Sequence, residues 1–276
     1  MKTIRLIALD MDGTVLTDEK QIDEQTSRAI HDALAEGIEV IFCTGRSYME
    51  MKDILADFPD MHYLCGESGG LIFDTVSEKV LYKTAFPPET VRVLQENAKL
   101  EDLMTCMFSD GECVVDAADI NRMAHFQMAH FQELYSRIST VYEDALEHLI
   151  KTGRTIEKLN YYHASREGRE ASCRRLKAAG IDAEMVYSEY SSLEITPGGM
   201  SKAAGLLELG RILGIPLEEM AMVGDADNDL SAIRAAGLGI AMGNACEAVK
   251  AAASLVVADN NHGGCAEAVR YCLAGK

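Results

Sequence analysis

"LIALDMDGTVL", residues 6–16, decides the fold. Its apolar start, punctuated by a glycine, reads as a buried strand. Yet the strand finishes in two carboxylates, Asp10 and Asp12, one residue apart. Like charges repel at such an end, and packing gives no reason to place them there. The stretch therefore predicts a bound cation, or chemistry, at the carboxyl edge of a strand.

The same rhythm extends outward from it. "IRLIAL" (4–9) is followed by an amphipathic pattern near 23–36, where Ile30, Ala33 and Leu34 share a face, and Gly37 closes it before "IEVIFC" (38–43). Near the other end "EMAMVG" (219–224), "LGIAM" (238–242) and "SLVVA" (254–258) alternate with Ala-rich helical runs. Short apolar strands alternating with helices predict an α/β fold: a Rossmann-like parallel sheet covered on both faces. Ligands of such sheets bind beyond the carboxyl ends of the strands.

The middle breaks the rhythm. "LIFDTVSEKVLYKTAF" (71–86) reads as a hairpin, and "FPPET" starts a helix. "LMTCMF" and "GECVVDA" read as an antiparallel pair within 103–117, "IEKLNYYH" (156–163) as a strand, and "SREGREASCRRLKAAG" as a helix ending at Gly180. An α+β domain inserted at 86–190 is expected, with 1–85 and 191–276 forming the core and "SLEITPGG" (192–199) marking the return. The pentapeptide "MAHFQ" at 123–127 repeats at once as 128–132. It predicts an amphipathic helix with Met and Phe packed. Its histidines, five apart, lie roughly 140° around a helix and make no metal pair.

Composition narrows the function. The chain has 276 residues and a formal net charge of −18, which argues against nucleic acid or an anionic membrane as a general partner. No apolar run is long enough to span a bilayer, and "MKTIRLIALD" reaches an acidic strand end too soon to be a leader. Eight cysteines without a C-x-x-C pair read as reduced thiols. A cytoplasmic location is expected.

The chemistry concentrates at four places. "VGDADNDL" (223–230) brings Asp225 to the strand edge that carries Asp10 and Asp12. Three carboxylates there suit a hard divalent ion, Mg²⁺ best, because few protein ligands leave room for a phosphate. A calcium-loop reading fails: the position needing glycine is Leu230 and the one needing glutamate is Ala236. A dinucleotide reading of "GLGIAMG" (237–243) fails on spacing. "FCTGR" (42–46) ends its strand in Thr44, Gly45 and Arg46: a hydroxyl, a loop amide and a guanidinium. Lys202 opens a helix further on. Together they make a phosphate cradle. A phosphate monoester carries about two negative charges; with Asp10, Asp225, Mg²⁺, Lys202 and Arg46 the site balances when Asp12 is protonated, the state a general acid needs.

With these residues in place, the chain resembles the haloacid dehalogenase superfamily, near its Cof-type sugar-phosphatase-like branch. It carries the family's four motifs in order: D-x-D-G-T at 10–14, Thr44 in T-G-R, Lys202, and G-D-x-x-N-D at 224–229. The resemblance implies a phosphomonoester hydrolase acting on a small phosphorylated substrate such as a sugar phosphate or phosphorylated cofactor. It implies Asp10 as nucleophile, Asp12 as acid and base, and Mg²⁺ held by Asp10, Asp225 and the main-chain carbonyl of Asp12. Thr44, Gly45, Lys202 and Asn228 would hold the phosphoryl oxygens, with Asp229 behind Lys202. Two elements depart from the family: "GESGG" (66–70) stands where Asn-Gly is frequent, and "NNHGGC" (260–265) where N-x-x-D-G-V is usual. The alternatives are a phosphotransferase or mutase, and a phospho-accepting regulator. The latter resembles a lone domain of roughly 120 residues without an insert. Specificity is expected from the insert, through Lys158, Tyr161 and Tyr162, with Arg166, Arg169, Arg174, Arg175 and Lys177 as a steering patch or a solvated helix face.

Overall fold

The computed structural model describes residues 3–187 and 190–275. Two compact units divide the chain: Met1–Arg46, Lys52–Tyr82 and Ser201–Lys276 form one, Ser47–Met51 and Lys83–Met200 the other.

In chain order, β1 (Leu6–Leu9) leads to α1 (Glu24–Ala35), β2 (Glu39–Cys43), α2 (Tyr48–Leu55), β3 (Tyr63–Gly66), β4 (Leu71–Asp74) and β5 (Lys79–Lys83). All four residues of β1 are buried, as a central strand covered on both faces requires. Asp23 caps α1, accepting from the amides of Gln25 and Thr26. Ser47 and Glu50 form a capping box on α2: the Ser47 amide donates to Glu50 at 2.7 Å and the Glu50 amide to Ser47 Oγ at 3.3 Å.

The second unit follows with α3 (Pro88–Ala98), β6 (Leu103–Ser109), β7 (Glu112–Asp116), α4 (Gln132–Ile138), β8 (Thr140–Tyr142), α5 (Ala145–Thr152), β9 (Lys158–His163), α6 (Arg166–Ala178), β10 (Ala183–Val186) and β11 (Ser192–Pro197). Its strands form a six-stranded sheet in the order β10-β11-β9-β6-β7-β8. β6 pairs antiparallel with β7 and β9. One face packs Leu159, Tyr161, Leu193 and Ile195 with Leu94, Leu149 and Leu176 of α3, α5 and α6; the other packs Met104, Phe108, Val115, Met123 and Phe126.

Two expectations are corrected here. Ser192–Pro197 does not open the return to the first sheet. It lies between β10 and β9, with Leu193 and Ile195 fully buried in the second core. The repeat at 123–132 is not one helix but a run of turns followed by a short 3₁₀ turn, Ala129–Phe131. Gln127 adopts φ +65°, and the Met128 amide folds back onto the Met123 carbonyl, so Met123, Phe126 and Met128 all reach the core. His125 and His130 are exposed.

The chain closes the first unit with α7 (Lys202–Leu213), β12 (Met220–Gly224), α8 (Leu230–Ala235), β13 (Leu238–Ala241), α9 (Glu247–Ala252), β14 (Leu255–Val256) and α10 (Gly264–Ala274). The sheet order is β14-β13-β12-β1-β2-β3-β4-β5. β1 pairs parallel with both β2 and β12, so the strand order reverses beside it. No helix among the described residues is long and apolar enough to cross a membrane. The eight cysteines are free, all but Cys246 buried.

Candidate active site

Where strand order reverses, the loops on either side diverge and open a crevice at the carboxyl ends. Asp10 follows β1 directly, its amide still donating to the Val223 carbonyl of β12 at 3.0 Å. Its side chain is buried and accepts a hydrogen bond from the buried ammonium of Lys202, the first residue of α7. That ammonium also donates to Asp229 Oδ1 at 2.6 Å. The other oxygen of Asp229 accepts the amides of Asp225 and Ala226, at 2.9 and 3.0 Å. Asp225 accepts from Thr14 Oγ1 at 3.1 Å.

Asp10, Asp225 and Asp229 each place an oxygen within 4.8 Å of the others. Burial, above all, pushes Asp10 up to about 7, with Asp229 and Asp225 adding to it against the pull of Lys202. Burial and then Asp229 push Asp225 up to about 6. Three crowded carboxylates sharing one ammonium are underneutralised, and their hard oxygens fit a divalent ion such as Mg²⁺.

Asp12 is arranged differently. Its carboxylate turns to Arg46, which donates through Nε and Nη2 at 2.9 and 2.8 Å, and to Lys20 Nζ at 2.9 Å. Partial burial opposes ionisation, but Arg46 and Lys20 outweigh it and hold the carboxyl below its ordinary value. Asp12 is therefore ionised in this arrangement, with Arg46 and Lys20 as its partners. The side-chain cluster contains Asp229 in the place expected of Asp12, which leaves Asp12 its main-chain carbonyl for a metal.

Thr44 is buried just past β2. Its amide donates to the Cys65 carbonyl and its carbonyl accepts from Ser68, both at 2.9 Å, and its hydroxyl accepts the Arg46 amide at 3.2 Å. Gly45 is half-buried beside it, and Asn228 is exposed on the short turn Asp227–Asp229 after Asp225. In "GESGG", Glu67, Ser68 and Gly69 all have positive φ, +54°, +61° and +94°. Non-glycine residues held so cost about 1–3 kcal/mol each. A β-carbon on Gly69 would collide with the Ser201 carbonyl, so the glycine lets α7 begin beside this loop. Gly13, at φ +84°, is needed for a related reason: a β-carbon there would strike the Asp225 carboxylate.

Lys20, Thr14, Asn244 and Asn260 were not singled out in the sequence. Asn244 donates to the Gly13 carbonyl at 2.8 Å, and Asn260 to the Leu16 carbonyl at 3.0 Å, fixing the loop that carries Asp12. The available signal was positional: Asn244 follows a strand end in "AMGN", and Thr14 belongs to the D-x-D-G-T run. On the insert, Tyr161 lies in the core and donates to the Leu94 carbonyl, whereas Lys158 pairs with Glu194 at 2.7 Å. The α6 arginines are largely engaged: Arg169 is buried against Tyr190 and Tyr187, and Arg175 binds Asn97 and Glu101.

A parallel sheet with a buried lysine and an acidic cluster at its switch point has the architecture of an α/β enzyme whose site lies beyond the strand ends. The model of the haloacid dehalogenase-like hydrolases matches residues 7–269, and the chain belongs to that family. It is 28% identical to Phosphatase YwpJ of Bacillus subtilis (strain 168), across 98% of this chain and 100% of that protein. It is 27% identical to 5-amino-6-(5-phospho-D-ribitylamino)uracil phosphatase YcsE of the same organism, across 97% and 95%. A haloacid dehalogenase-like hydrolase from Bacteroides thetaiotaomicron, known by crystal structure, superposes with TM-score 0.80 at 27% identity, covering 98% of this chain and 99% of that one.

Proposed function

We propose that the protein hydrolyses phosphomonoesters of small metabolites through an aspartyl-phosphate on Asp10. The carrying observation is Asp10 itself, buried at the strand end, held by Lys202 and set beside Asp225. Family membership supports the reaction class, and the activity for which YcsE is named supports a small phosphorylated metabolite as substrate.

Asp10 attacks phosphorus and the bond to the ester oxygen breaks. Asp12 supplies the proton that the leaving oxygen takes up, then accepts one from the water that attacks the aspartyl-phosphate, which frees Asp10. Thr44, Gly45, Lys202 and Asn228 hold the phosphoryl oxygens. An incoming phosphoryl dianion competes for Arg46, which loosens the grip on Asp12 and lets it carry a proton. Mg²⁺, when bound by Asp10, Asp225 and the main-chain carbonyl of Asp12, supplies the charge neutralisation that one anion needs to approach another.

The test is phosphate release from an aryl phosphate, followed by borohydride reduction during turnover. Reduction of an acyl phosphate converts Asp10 to homoserine, which peptide mass spectrometry reads. Homoserine absent from position 10 during sustained turnover would overturn the reading. Asp12→Asn is expected to keep phosphate binding, since it also frees Arg46 and Lys20 from their ion pairs with Asp12, but to lose kcat by about 10²–10⁴-fold through the lost proton transfer.

Metal binding has a readout independent of turnover. Asp10 and Asp225 have raised values in the folded chain, so the stability they contribute is full below the ordinary 3.8 and is lost as pH rises through about 6 to 7. A divalent ion compensates for that loss. Saturating Mg²⁺ is therefore expected to raise Tm more at about pH 8 than at about pH 5, with up to ~2.7 kcal/mol gained at a hundredfold excess over Kd. Equal shifts at both values would count against these two ligands.

A further inference from the structure

Lys20 sits at a backbone position that suits glycine. Residues 17–21 form a tight turn, in which the Lys20 amide donates to the Thr17 carbonyl and the Thr17 amide to the Gln21 carbonyl, both at 2.9 Å. Leu16 and Ile22 pair on either side of it. Such turns place their last loop residue in the left-handed region, where glycine and asparagine are favoured. Lys20 occupies that position at φ +59°. Two asparagines from the loop after β14 pin the turn. Asn261 Oδ1 accepts the Asp18 amide at 3.0 Å, and Asn260 Nδ2 donates to the Leu16 carbonyl and to Asp18 Oδ1, at 3.0 and 3.2 Å. All of them belong to the unit that holds Asp10, Asp225 and Asp229.

Asp12 does not need this lysine as a partner. Arg46 already binds both oxygens of its carboxylate, through Nε and Nη2. Lys20 Nζ is a third donor, with 64% of its side chain and 46% of that of Asp12 exposed. Exposed pairs of this kind contribute little to stability. Neither the strained backbone nor the ordering of a long side chain is explained by the pair, and strain of this kind collects where a residue has a task. An ammonium has three N–H donors. Among the described residues Asp12 is the one protein partner of Lys20 Nζ, which leaves two donors for a ligand.

We infer that Lys20 binds an anionic group of the substrate carried on the atom next to the leaving oxygen, an inference that rests on the phosphomonoesterase reading above. A general acid works at about 2.6–3.2 Å from the oxygen it serves. Lys20 Nζ is 2.9 Å from Asp12 Oδ1, so a leaving oxygen served by Oδ1 lies within about 6 Å of the ammonium. An anionic oxygen on the neighbouring atom bridges that gap. A carboxylate on the ester carbon supplies one, and so does the second phosphate of a diphosphate. Either gives the ammonium a charge-assisted hydrogen bond. The same ammonium keeps the anion from facing the Asp12 carboxylate unscreened.

The test uses the full chain and three substrates: ethyl phosphate, phosphoglycolate and methyl diphosphate. Lys20→Gly removes the ammonium and relieves the left-handed position, so its Tm should stay close to the wild-type value. Its kcat/KM for phosphoglycolate or methyl diphosphate, divided by that for ethyl phosphate, should fall ~10-fold or more below the wild-type ratio, as for loss of a hydrogen bond to a charged group. Comparing ratios cancels the intrinsic reactivity of each substrate and any general loss of Asp12 function. Lys20→Asn, which also suits a left-handed residue, should behave alike and keeps the test usable where glycine loosens the turn. A fall for phosphoglycolate alone assigns a carboxylate, and a fall for the diphosphate alone assigns a phosphate; either supports the inference. Wild-type ratios for both in a folded variant would overturn it and leave the hydrolase reading intact, as would a wild type that hydrolyses ethyl phosphate but neither anionic substrate. Absence of phosphate release from all three would instead remove the hydrolase reading, and this inference with it.

Discussion

Asp10→Asn is expected to abolish turnover, by on the order of 10⁴–10⁶-fold in kcat, the range in which removal of a covalent nucleophile falls. An amide is no nucleophile toward phosphorus, so the double displacement has no first step. The substitution also changes charge where it is tightest, because Asp10 shares the Lys202 ammonium with Asp229. Removing one of the two carboxylates relieves crowding, so the variant should fold with stability equal to or above the wild type. That combination separates a chemical role from a structural one. An inactive but unstable protein would leave Asp10 a mere partner of Lys202, and near-wild-type kcat would end its assignment as nucleophile.

Lys202→Met should do the reverse and damage both fold and function. Lys202 is buried, and Asp10 and Asp229 raise its affinity for a proton so far that it stays charged against burial. With the ammonium gone, two buried carboxylates face each other. Breaking such a network costs about 3–5 kcal/mol. The sign of its pH dependence follows. Asp10, already pushed up to about 7 by burial, then favours protonation further without the ammonium, so stability lost near pH 8 should return on acidification toward about pH 5. Urea unfolding at the two pH values measures this. A destabilisation independent of pH would mean that Lys202 acts by packing its stem alone.

Much of the first sheet was legible because β1, β2, β12 and β13 are buried on both faces, and such strands must be continuous apolar runs. Asp10 and Asp225 were legible because each directly follows one of those runs. The surroundings of Asp12 were not. Lys20 and Arg46 lie 8 and 34 residues away from it, and no periodicity links positions brought together by a loop. β11 was misplaced because an apolar run does not say which sheet it joins, and its pairing with β9 is set by partners 30 to 36 residues upstream. At 123–132 the Met and Phe spacing resembled a helix face, but a left-handed residue at Gln127 can bring the same side chains inward through turns. The arginines of α6 were ambiguous because a basic run looks the same whether its charges meet solvent or carboxylates.

The central strand has one consequence for how the molecule comes into being. β1 pairs with β12 in the register Leu6↔Met220, so one neighbour of the strand carrying the nucleophile is made only after most of the chain. At about 5–20 residues per second on the ribosome, that neighbour arrives on the order of ten seconds or more after β1. The segment Lys83–Met200 is contiguous and its strand pairs are far more local, so loop closure costs it less. It should acquire protected amides first, in β6 and β9, while β1 waits with an open edge. Pulsed hydrogen exchange on refolding chains reads this order, and simultaneous protection of β1 and β9 would contradict it. A newborn chain thus has its inserted segment shaped before the strand that carries Asp10 gains its second neighbour, so the catalytic edge is the last part of the molecule to be assembled.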